Sequence, residues 1–89
     1  MVYMIYSADD LDKVVDEDMI HQHRRYIESF GPRIRTGGPL LEEASGNPKG
    51  RVILIDLDTR ADAERFVFND PFFKISRIKT FVIERMSIL

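Results

Sequence analysis

The chain has 89 residues, too few for two domains, and by size scaling it buries only a little over about 60% of its unfolded surface. It contains no cysteine, which excludes disulfides, thiolate metal sites and thiol nucleophiles and leaves oligomerisation as the common remaining source of stability. Thirteen basic against fifteen acidic side chains leave a net charge of −2, a poor basis for binding nucleic acid, which needs clustered Lys and Arg. No apolar run approaches the roughly 18 residues of a membrane span, and no basic segment followed by an apolar one opens the chain. One soluble domain over residues 1–89, with a cytoplasmic location, is the expectation.

Val2-Tyr3-Met4-Ile5-Tyr6 is rich in β-formers and stops at Ser7-Ala8-Asp9-Asp10, so it reads as a first strand. Residues 9–18 are acidic and read as a loop. From Asp16 or Asp18 the period changes: Met19, Ile20, His23, Tyr26, Ile27 and Phe30 fall at helical spacing, and Gly31-Pro32 ends the helix. Arg33 to Glu42 reads as a second strand broken by Gly37-Gly38-Pro39, a bulge or a place of close backbone approach. Ala44 to Gly50 is a turn cluster, and Arg51 to Leu57 is the third strand.

Thr59 is a good N-cap for a second helix, with Asp62 three residues on. Ala63, Phe66 and Val67 face inward, and the helix ends near Asp70 because Pro71 disfavours helical backbone before it. Phe72-Phe73-Lys74 is a short connection, and Lys79 to Met86 is the last strand. The order βαββαβ with right-handed crossovers gives an α+β, ferredoxin-like domain: a four-stranded antiparallel sheet with both helices on one face. Tyr3 to Tyr6 and Val52 to Ile55 run apolar without alternation, the mark of strands covered on both faces. The helices cover one face, so the pattern predicts a homodimer through the other.

Chemistry centres on His23. At about 100° per residue, Met19, Ile20, Tyr26, Ile27 and Phe30 all lie within roughly 60° of it, which puts it mid-stripe. His21 lies about 160° away on the polar face, so the two rings cannot share one metal ion, and no metal site is expected. A ring centred on the core side needs a hydrogen-bond partner: a backbone carbonyl if it is structural, or a titratable group if it is a tuned catalyst. Asp70 falls about 40° from Phe66 on the second helix's wheel and is the available carboxylate, unless it is merely an exposed Asp-Pro turn. Gly46 to Gly50 holds Gly and Lys but lacks P-loop spacing.

These residues together resemble the YciI-like family of the dimeric α+β barrel superfamily over nearly the whole chain. The resemblance rests on the Tyr3-to-Tyr6 strand, the His23-to-Gly31 helix, Gly38-Pro39-Leu40-Leu41, and Asn69-Asp70-Pro71-Phe72. It implies ferredoxin-like subunits paired as a dimer, no cofactor, and a His and an Asp forming an acid–base pair in a cleft. Some relatives act on oxygenated or halogenated aromatic-ring catabolites. A gapless match would choose His21, but Tyr26, Ile27, Phe30 and Gly31 match when His23 is chosen. The resemblance and the wheel therefore both point to His23 with Asp70.

The reading that follows is a small cofactor-independent enzyme of lyase or isomerase type, acting on a small organic molecule. His23 and Asp70 are its catalytic residues, with Gly38, Pro39 and Phe72 at the substrate. The alternative is a non-catalytic small-ligand-binding or accessory dimeric module. No nucleic-acid or membrane partner is expected.

Overall fold

The computed structural model describes Met1–Leu89. Strand β1 spans Val2–Asp9 and is central, which decides its register on both sides. Tyr3, Ile5 and Ser7 are buried, while Met4 and Tyr6, on the opposite face, are half-buried. Ser7 and Ala8 stay in the ladder because neighbours on both sides pair with them, and Asp9 pairs with Ile78 of the last strand. Ser7 stands opposite Arg51 and Phe81, and Ala8 opposite Gly50 and Thr80. The first strand thus runs past the point where its composition turns polar.

Helix α1, Glu17–Glu28, is capped by Asp16, whose side chain accepts the Met19 N–H at 2.9 Å. Its exit passes Gly31 at φ +55°, a left-handed conformation that glycine adopts without strain, into a short 3-10 turn over Gly31–Arg33. Strands β2, Ile34–Leu41, and β3, Pro48–Asp56, form a hairpin. Helix α2, Arg60–Phe68, opens on Thr59, whose hydroxyl accepts the Asp62 N–H at 3.1 Å. Helix α3, Pro71–Lys74, and strand β4, Ile78–Met86, complete the chain.

The strand order is β2-β3-β1-β4, and every neighbouring pair is antiparallel. This is the expected ferredoxin-like α+β arrangement. The core joins Tyr3, Ile5, Ile53, Ile55 and Ile83 of the sheet to Ala63, Phe66 and Val67 of α2. Tyr26, Ile27 and Phe30 of α1 pack against it without becoming fully buried. One sheet face therefore carries both long helices. The other bears Met4, Tyr6, Val52 and Leu54, half-buried, and Val82, which is 44% exposed. No helix is long and apolar enough to cross a membrane.

Further boundaries differ from the sequence expectation. The third strand begins at Pro48, not Arg51, because Pro48 and Gly50 pair with Leu41 and Leu40. The second helix ends at Phe68, and Pro71–Lys74 is a helical turn, not an extended connection. Pro71 forces Asp70 into extended backbone, φ −65° and ψ 128°, which ends one helix and starts the next.

Candidate active site

Odd-numbered residues of β1 and β3 face the helices, and beyond the core that face opens into a cavity of about 640 Å³ between α1, α3 and the ends of β1, β2 and β3. Its wall includes His23, Gly37, Gly38, Pro39, Arg51 and Phe72. Two glycines bring strands close here. A Cβ on Gly37 would lie 2.5 Å from the Val52 carbonyl oxygen, and one on Gly50 would overlap the Ser7 carbonyl oxygen. Gly38, by contrast, has open space where a Cβ would stand. The expected interruption at 37–39 is not one: Gly37, Gly38 and Pro39 pair with Ile53, Val52 and Arg51 within an unbroken β2, with a close approach at Gly37 and open space beside it at Gly38.

His23 Nδ1 lies 2.7 Å from Asp70 Oδ1, and the two side chains are 13% and 4% exposed. The same carboxylate oxygen accepts the Phe72 backbone N–H at 2.9 Å. An ionised carboxylate only accepts, so the neutral ring donates from Nδ1 and keeps its lone pair on Nε2. The Phe72 ring stacks on the imidazole with centroids 4.0 Å apart and planes 4° from parallel. One edge of the histidine is therefore held by a carboxylate and one face by an aromatic ring, which leaves little rotational freedom.

Asp70 reaches this position for a reason other than the helical wheel. It lies beyond α2 and is the N-cap of α3, where the helix end favours a negative charge. A residue pictured at a disfavoured C-terminal end sits instead at a favoured N-terminal one. His21 is exposed on the outer face of α1. Gly38 and Pro39 line the cavity, and Phe72 contributes both to its wall and to the histidine stack.

Tyr26, one turn along α1 from His23, donates its hydroxyl to the Phe66 carbonyl at 2.7 Å. Its pKa is pushed up to about 12, first by burial and then by the nearby negative charge of Asp70. The phenol therefore stays protonated and ties α1 to α2.

The sequence reading passed over Asp9, Arg51 and Arg77, which lie at the cavity. Arg51 Nη2 meets both oxygens of Asp9 at 2.6 Å, and Arg77 Nε lies 3.4 Å from Asp9 Oδ2. That second contact is an ion pair by distance and not a hydrogen bond, and Arg77 Nε stays without a hydrogen-bond partner. Arg77 also donates to the Asp10 and Lys13 carbonyls, fixing the loop after β1. The signal for Arg51 was parity with Ile53 and Ile55; for Asp9 it was parity with Tyr3 and Ile5. No group of three His, Asp or Glu side chains converges as a set of metal ligands.

Neither a family model nor a curated protein matches the chain. Solved structures do. The structure of 5-chloro-2-hydroxyhydroquinone dehydrochlorinase (TftG) from Burkholderia phenoliruptrix AC1100, in complex with 2,5-dihydroxybenzoquinone, superposes with a TM-score of 0.88 at 27% identity. The match covers 98% of this chain and 94% of that one. The fold is YciI-like, that of a dimeric α+β barrel subunit. A dimeric ferredoxin-like protein of unknown function from Thermobifida fusca matches at TM-score 0.52 and 16% identity, over 98% of this chain and 90% of that one. A hypothetical protein from Pyrococcus horikoshii matches at 0.54 and 12%, over 98% and 93%. These two share the fold alone. The dehydrochlorinase is an enzyme that shares this fold.

Proposed function

We propose that this protein is a small cofactor-independent enzyme of lyase or isomerase type, acting on a ring-shaped organic substrate through a His23–Asp70 acid–base pair. The observation that carries this is the 2.7 Å contact between a nearly buried imidazole and a buried carboxylate at the wall of a substrate-sized cavity. Asp70 holds the proton on Nδ1, so Nε2 is the base. It takes a proton from a substrate carbon or oxygen, and the electrons left behind expel a leaving group with its bonding pair or shift a double bond. In the isomerase case the imidazolium returns that proton elsewhere on the substrate; in the lyase case it gives it up to water. Such proton transfer contributes roughly 10²–10⁴-fold.

The similarity to a dehydrochlorinase of a hydroxylated ring supports an aromatic-catabolite substrate. The active form is a homodimer through the helix-free sheet face, which carries Met4, Tyr6, Val52, Leu54 and Val82. The test is turnover of a panel of chlorinated hydroxyhydroquinones and hydroxyquinones. Wild type should convert at least one, with His23→Ala slower by about 10²–10⁴-fold. Full turnover by His23→Ala would exclude this pair as the catalyst.

A further inference from the structure

Beyond the histidine pair, the cavity wall holds a second charged group that the proton transfer leaves unused. Asp9 is buried between two guanidiniums, with side-chain exposures of 2% for Asp9, 10% for Arg51 and 16% for Arg77. Arg51 does not grip Asp9 with its usual two-nitrogen fork. A single nitrogen, Nη2, meets both carboxylate oxygens, so Nη1 is buried with no hydrogen-bond partner. Arg77 Nε is likewise unpaired. Two cations share one anion, so the cluster holds an uncompensated positive charge in a poorly solvated place, where charges need partners.

The surroundings do not supply that partner. Of the other charged side chains lining the cavity, Arg24 and Glu28 are exposed and of opposite sign. Asp70 is committed to His23 and the Phe72 N–H. Phe72 joins the two groups: His23 stacks on its ring at 4.0 Å, and the Arg51 guanidinium carbon lies 5.3 Å from the same ring centroid. A flat ligand against this wall thus lies near a base and near a guanidinium whose cluster carries an uncompensated positive charge.

We infer that Arg51, backed by Arg77, is a binding residue for an ionised ring oxygen, so that the substrate class is phenolate- or enolate-bearing rings. This rests on the cavity being the substrate site, as proposed above. An oxyanion at the wall compensates the cluster's excess positive charge through a charge-assisted contact with the guanidinium, and a neutral ring of the same shape leaves that charge uncompensated.

The probes are 4-nitrophenol and its neutral methyl ether, 4-nitroanisole. Their binding is followed by calorimetry, with the phenolate absorbance read at a pH where free nitrophenol is partly protonated. Wild type should bind nitrophenol roughly tenfold or more tightly than nitroanisole, and should raise the phenolate fraction. Arg51→Gln should remove both effects. Asp9→Asn, which frees both guanidiniums, should tighten phenolate binding, so an unstable Arg51 variant does not decide the matter. His23→Ala should keep the anion preference, which separates this inference from the acid–base proposal. Equal binding of the two probes, binding of neither, or an Arg51→Gln variant that keeps the preference would overturn it.

Discussion

At the residue scale, His23 and Asp70 were legible, but for different reasons. His23 was placed by its position in the apolar stripe of α1, and it faces the cavity for that reason. Asp70 was placed by extending the second helix's wheel past Phe68, where the helix has already ended. Its real position comes from Pro71, which sets the backbone that lets Asp70 cap α3. Asp9 was missed because the first strand was drawn too short; Arg51 stood inside the third strand, but its parity with the core residues Ile53 and Ile55 went unused. Asp70 also has a structural duty to the Phe72 N–H, and two substitutions separate the roles. Asp70→Asn keeps an acceptor and the shape, and should lower turnover with a modest loss of stability. Asp70→Ala should in addition cost about 1–3 kcal/mol in urea unfolding, by leaving a buried N–H unpaired. If the pair works as a unit, His23→Ala combined with Asp70→Asn should be little slower than His23→Ala alone. Multiplicative losses would contradict this.

At the element scale, two contacts hold the cavity's frame. Tyr26 tethers α1 to the Phe66 carbonyl near the end of α2, and its pKa is raised from 10.0 to about 12. The folded state therefore holds a proton that the unfolded chain releases first. Its contribution is fully present below pH 10 and is lost as pH rises towards about 12. Tyr26→Phe should cost about 1 kcal/mol at neutral pH, and the gap to wild type should narrow across that alkaline window. A constant gap in urea melts from pH 9 to 11.5, bounds chosen at roughly one pH unit below and just short of the window's ends, would contradict the assignment. The second contact is the close passage of strands at Gly37 and Gly50. Alanine at either should cost roughly 1–3 kcal/mol, since the clashing atoms are backbone carbonyl oxygens. Alanine at Gly38, where nothing lies within 4 Å, should change stability by no more than about 0.5 kcal/mol. Equal costs at all three would mean that strand spacing does not explain these glycines. The Gly-Gly-Pro at 37–39 does not break the strand as the sequence suggested, and which glycine was constrained depended on register.

At the scale of the whole molecule, the unalternating apolar runs put apolar side chains on both faces of the sheet. Val52 and Leu54 point to one face, Ile53 and Ile55 to the other, and both faces are apolar. The helices cover one of them, so the proposed dimer buries the rest. Wild type should sediment as a dimer at micromolar concentration, and Val52→Asp should aggregate or unfold. A well-folded wild-type monomer would contradict the dimer. The proposed chemistry requires one histidine with its proton held by Asp70 and its lone pair open to the cavity. Nitrogen-15 NMR of the imidazole rings measures this directly, at a pH where the neutral form is populated. The predicted result is a His23 ring protonated on Nδ1, with Nε2 shifted by added 4-nitrophenol while His21 is unmoved. A proton on Nε2 of His23, or a ligand shift at His21 alone, would contradict it.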